Sequence, residues 1–190
     1  MQITQADVKI KKIASVFGII QGLAWTLMSL ICMIYYSNDH LANLEPKSYH
    51  DYIGFFIYQL LLNNNEVVFT KQAFTDGVFF GFMLIYFFLD LAWIAVSVRV
   101  WLRHESKSIK AWSLVTLLIC VWDFLTVVIL GADYDNCLRF AKTSNSKLDF
   151  EFYCSTALLT VLVIAAKGFV LWFINLFLAW AMFKVSKEIK

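Results

Sequence analysis

Residues 156–183 read TALLTVLVIAAKGFVLWFINLFLAWAMF, an apolar stretch with one charge, Lys167, near its middle. An α-helix needs roughly 20 residues, each rising ~1.5 Å, to cross ~30 Å of hydrocarbon. This stretch exceeds that length, and comparable runs fill residues 13–36, 78–101 and 111–130. Hydrophobic residues make up 61% of the chain and charged residues 16%, where soluble domains run nearer half and a quarter. The expected fold is all-α: an integral membrane four-helix bundle in a single domain over residues 1–190. Transmembrane strands do not fit, because they alternate in polarity and need only about ten residues each. The one proline, Pro46, lies outside every span. All four helices are therefore expected to keep their backbone hydrogen bonds internal, as lipid demands.

The first span exceeds the ~7–15 apolar residues of a signal-peptide core and is followed by no small-residue cleavage site, so it is expected to persist as an anchor. Lys and Arg bias sets orientation. The N-terminus, the short connection between spans two and three, and the C-terminus hold ten bases, among them Lys9, Arg99, Arg103 and Lys187. The opposite side holds five: Lys47, Lys71, Arg139, Lys142 and Lys147. Both termini are therefore expected in the cytoplasm. Trp101, Trp112 and Trp180 then fall at the inner interface and Tyr35, Tyr36 and Tyr153 at the outer one, as aromatic belts do. The basic inner face suits anionic lipid. Nucleic acid is not an expected partner, because the bases are split over three segments that flank membrane crossings.

Capping-box patterns mark helix starts at Thr4–Asp7, Ser48–Asp51 and Ser146–Asp149. The second precedes Tyr52–Leu62, an apolar run too short to span, which is expected to form an extra helix in the first outer loop. It either lies in the interface or packs over the bundle. Asn63–Asn65 ends it in a turn, and Glu66–Thr70 suits a short strand. The chain has no Asn-x-Ser/Thr sequon. Cys137 and Cys154 both fall in the second outer loop, and a disulfide between them stabilises by ~3 kcal/mol in the loop-closure model. Cys32 and Cys120 lie inside spans and read as packing residues.

Three charges sit inside the spans: Asp90, Asp123 and Lys167. A charge at the bilayer centre costs at least ~2.5–3.5 kcal/mol, so such groups face protein and pair with something. Counted from the span ends, all three fall within a turn or two of the midplane, which predicts one intramembrane cluster. Thr116, Cys120, Asp123 and Thr126 share a helix face, and Ala165, Ala166 and Gly168 let another helix approach Lys167. Gln21 and Asn175 each lie eight residues from the inner end of their spans and are expected to hydrogen-bond. Two GxxxG pairs, Gly18/Gly22 and Gly77/Gly81, predict close helix packing, within the bundle or between subunits. They lie at opposite ends of the membrane, so each needs its own neighbour.

Catalysis finds no motif. His40, His50 and His104 are scattered over loops, and H-E-x-x-H, C-x-x-C, a phosphate loop and G-x-S-x-G are all missing. No cofactor or metal site is expected. Cytoplasmic termini, a long first outer loop, a tight inner connection and a cysteine-bearing second outer loop resemble the small tetraspan families. The layout is most similar to MARVEL-type, lysosome-associated and small insect four-span proteins. The Trp and paired-Cys signature of claudins and the Cys-Cys-Gly of tetraspanins do not occur. The expected function is non-enzymatic: organising or assisting other membrane proteins at a junction, in a vesicle or as an auxiliary subunit. The expected location is the plasma membrane or an endosomal or lysosomal membrane. Partners are then the bilayer and other membrane proteins, or a second copy through the small-residue faces. The alternative is a small proton-linked transporter or channel component using the Asp/Asp/Lys cluster.

Overall fold

A computed structural model describes residues 5–37, 55, 57–58, 61–62, 72–103, 105–143 and 147–188. The described elements are helical: α1 (Gln5–Tyr36), α2 (Asp76–Leu102), α3 (Ser106–Thr143), α4 (Lys147–Ala165) and α5 (Val170–Glu188). Four segments are long and apolar enough to cross a membrane: Asp7–Tyr36, Gly77–Leu102, Ser106–Lys142 and Cys154–Glu188. Their outward surfaces carry Ile20, Leu27, Phe88, Phe124, Phe173 and Phe177, each more than half exposed. Water would penalise such a surface, whereas lipid accepts it. The chain is a multi-pass membrane protein.

Two features depart from the expected spans. First, α3 does not stop at residue 130 but continues to Thr143. Its charges lower the local apolarity, yet Leu130, Asp133, Cys137 and Ala141 stay buried at helical spacing and carry the packing stripe onward. Cys137 and Cys154 accordingly stand on α3 and α4 rather than in a loop. Second, the fourth span is not one helix. It is α4 and α5, parted by a turn over residues 166–169.

The helices pack as two compact units. The terminal unit comprises Met1–Ser29, Ile85–Trp122 and Phe169–Lys190. Its core gathers Ala14, Trp93, Val100, Ile109, Trp112, Ile119 and Met182. Gly18 and Gly22 let α1 approach α2 here: a Cβ on Gly22 would stand 2.7 Å from Ile94 Cγ1, and one on Gly18 would run into Ser97 Oγ. The helix ends are laced together. Lys11 Nζ donates to the Arg103 carbonyl at 3.4 Å, and Ser106 Oγ donates to the Ser186 carbonyl at 2.6 Å.

The disulfide unit comprises Leu30–Leu84 and Asp123–Gly168. Its core holds Tyr58, Leu61, Leu62, Phe74, Phe79, Leu130, Ala157 and Leu158 around the two bridged cysteines. Cys137 and Cys154 form a disulfide with their Cα atoms 5.9 Å apart. Of the described residues of the apolar run 52–62, Tyr58, Leu61 and Leu62 are buried in this core and Ile57 packs against it. Backbone is helical at residues 55, 57, 58 and 61. The rest of that run, the 63–70 turn and strand, and the three capping hydroxyls lie outside the described residues.

Candidate functional site

The turn inside the fourth span begins with the way α4 ends. Gly168 N–H donates to the Val163 carbonyl at 3.0 Å, and Lys167 N–H to the Ile164 carbonyl at 2.9 Å. A six-to-one bond enclosing a five-to-two bond is a Schellman motif, and its left-handed residue is normally glycine. In this chain Lys167 occupies that position, with φ of 50°. Gly168 and Phe169 follow at 62° and 60°. A non-glycine residue in this region costs about 1–2 kcal/mol, so Lys167 and Phe169 both hold conformations that tertiary contacts must stabilise. Phe169 then opens α5, its carbonyl accepting from Phe173 N–H at 3.1 Å.

What holds Lys167 is Asp123. Lys167 Nζ stands 2.8 Å from Asp123 Oδ2, and both side chains are 1% exposed. Both residues belong to the disulfide unit. Lys167 itself follows the C-terminus of α4 by two residues. A buried pair of this kind gains little net stability, since desolvation offsets attraction. Losing one partner leaves an uncompensated charge at a cost of ~3–5 kcal/mol. Asp123 lies on the buried face of α3 with Thr116, Cys120 and Thr126. Thr116 Oγ1 donates back to the Trp112 carbonyl at 2.8 Å.

Asp90 is fully buried on α2 and belongs to the terminal unit. In that unit Gln21 and Asn175 exchange two hydrogen bonds: Gln21 Nε2 donates to Asn175 Oδ1 at 3.1 Å, and Asn175 Nδ2 to Gln21 Oε1 at 3.0 Å. Trp172 Nε1–H donates to the Cys120 carbonyl at 2.9 Å, and Trp112 Nε1–H to Ser97 Oγ at 2.8 Å. The glycine pairs differ. Gly18 and Gly22 are packed, whereas no described residue comes within 4 Å of where a Cβ on Gly77 or Gly81 would stand.

Two site features escaped the sequence reading. The turn at Lys167 has one sequence signal, the small residues Ala165, Ala166 and Gly168 around it, which read equally well as a packing face. The other is Asp133, fully buried, whose two carboxylate oxygens accept the backbone N–H groups of Ala73 and Phe74 at 2.7 Å each. It clamps the chain leading into α2 onto α3. Outside the spans, exposed Glu105 accepts from Arg99 and Arg103, and the Arg99 hydrogen bond first among these holds its carboxyl below the usual range. Among the described residues, no group of three or more His, Cys, Asp or Glu side chains gathers to hold a metal.

No family model matches the chain, nor does any curated protein or solved structure.

Proposed function

We propose that this is a non-enzymatic membrane protein that organises or assists other membrane proteins, with both termini cytoplasmic, in the plasma membrane or an endosomal or lysosomal membrane. The observation that carries this reading is the direct Lys167–Asp123 contact with both side chains closed off. A proton relay needs groups that water reaches in turn. A sealed pair acts instead as a clamp between α3 and the fourth span. The resemblance to small tetraspan families, the lipid-facing apolar surface and the open Gly77/Gly81 face favour the same role.

One observation favours the alternative, a proton-linked transporter or channel component. Discontinuous helices at membrane depth are where carriers place their sites, and the fourth span is discontinuous at its charge. Four spans are few for a carrier, so this version requires oligomers. Reconstituted vesicles under a pH gradient separate the readings. The organising role expects proton flux no faster than in empty vesicles, with Asp90→Asn and Asp123→Asn making no difference. It also expects native membrane partners to co-purify in mild detergent. A pH-dependent flux that Asp123→Asn abolishes overturns it.

A further inference from the structure

One charged patch has no part in either proposed role: the end of the terminal unit where α2 hands over to α3. Arg103 N–H donates to the Arg99 carbonyl at 2.9 Å, so the helical turn carries on to Arg103 and the two arginines stand one turn apart on one side of it. Lys11, 3% exposed, donates to the Arg103 carbonyl and pins that end in place. Three donors then converge on one carboxylate. Glu105 Oε2 accepts from Arg99 Nη2 at 3.4 Å and from the Ser108 hydroxyl at 3.4 Å, while Oε1 accepts from Arg103 Nη1 at 3.3 Å. Ser108 is buried, whereas both arginines and Glu105 are exposed. All of these residues belong to the terminal unit.

We propose that Arg99, Arg103 and Ser108 form a headgroup site for an anionic phospholipid ending in a phosphate monoester, with Glu105 as an internal stand-in that the phosphate displaces. The carboxylate is a poor fit. Charge-assisted hydrogen bonds settle at about 2.5–2.9 Å, and all three contacts here are longer. Two oxygens also serve three donors. A phosphate monoester has three acceptor oxygens, one for each donor, and a charge of about −1.5 to −2 near neutral pH. Glu105 gives way readily, because exposed ion pairs contribute little and water takes up the released carboxylate. The position selects a lipid as the carrier. Trp101 and Leu102, between the two arginines in sequence, are 47% and 72% exposed, and Leu91 and Val98 extend the exposed apolar surface along α2. Tryptophan and arginine at the end of a span belong at headgroup level, which leaves the acyl chains against apolar helix. Lys107 and Lys110, both exposed, add positive charge in the first turns of α3. The inference rests on the cytoplasmic placement of the termini proposed above, because anionic lipid is concentrated in that leaflet.

Native mass spectrometry of the full chain released from nanodiscs tests it. The nanodiscs hold phosphatidylcholine with equal minor shares of phosphatidic acid and phosphatidylserine. Both leaflets carry the same mixture, so a failure speaks against the site and not against the placement of the termini. The expected result is severalfold more phosphatidic acid than phosphatidylserine retained on the protein. Glu105→Gln removes the internal competitor and should raise that retention severalfold. The double variant Arg99→Lys/Arg103→Lys keeps the charge but loses the planar forks, and should abolish the preference. If the double variant does not fold, Arg99→Lys alone takes its place and should lower the preference. Excess inorganic phosphate should leave the lipid bound. Equal retention of the two acidic lipids overturns the proposal, as does unchanged or lowered retention in Glu105→Gln. A preference undiminished by the lysine variants also overturns it, because bulk charge then suffices. Displacement by inorganic phosphate overturns it too, and assigns the cradle to a soluble anion.

Discussion

The two units bury polar groups by different means. The terminal unit buries Asp90 and Lys11, but the side-chain pairs that join its helices are neutral: the Gln21–Asn175 exchange, Trp112 on Ser97 and Trp172 on the Cys120 carbonyl. The disulfide unit uses charge and a covalent bond: Lys167 on Asp123, Asp133 on two backbone N–H groups, and Cys137 on Cys154. Neutral pairs in a membrane are modest and forgiving, since the separated helices find other partners there. A buried charge has no such fallback. The terminal unit should therefore lose its contacts gradually, and the disulfide unit should fail when one partner is removed.

The largest effect tests that difference directly. Asp123→Asn or Lys167→Met alone leaves one buried charge and should destabilise the protein by about 3–5 kcal/mol. The double variant Asp123→Asn/Lys167→Met removes both charges and should recover most of that loss, because an ion pair in an apolar setting is nearly neutral overall. Denaturation in mixed micelles, followed by loss of helicity, gives all three values. Additive losses in the double variant would mean that the two residues are not each other's principal partner.

Such coupling also explains what the sequence makes legible. The spans can be read because apolar residues are segregated along the chain, and that property needs no tertiary knowledge. The Gln21–Asn175 contact can be read because both residues are polar and both count to the same depth. The turn at Lys167 cannot be read the same way. An isolated glycine such as Gly168 is tolerated in a helix, and nothing local says that Lys167 will adopt φ of 50°. That conformation stands because Asp123, more than forty residues earlier, holds the ammonium. Asp133 is hidden for a related reason. It reads as one more acid beyond a span, until α3 continues through it and brings it beneath Ala73 and Phe74.

The two glycine pairs sharpen the comparison at the next level down. Gly22→Ala puts a methyl group into Ile94, and Gly18→Ala one into Ser97 beside Trp112. Overpacking of this kind should cost about 1–3 kcal/mol each. Gly81→Ala meets no described atom within 4 Å, and it removes the entropic penalty of a helical glycine. It should therefore stabilise by about 0.5–1 kcal/mol. The same micelle titration reads both signs. A loss at Gly81 comparable to that at Gly22 would show that the open face is occupied, by another part of the chain or by a neighbour.

The neutral pair of the terminal unit sets the comparison with the ion pair most directly. Gln21→Leu leaves the Asn175 amide without its two bonds, and Asn175→Leu does the same to Gln21. Membrane hydrogen bonds couple by about 0.6 kcal/mol on average and 1.7 at most, so a double-mutant cycle should return about 1–2 kcal/mol for this two-bond exchange. The decisive quantity is the ratio to the ion-pair coupling measured in the same way. If the amide pair couples as strongly as Lys167 with Asp123, local dielectric sets the strength of both. A severalfold weaker coupling would place the distinction between the two pairs in formal charge.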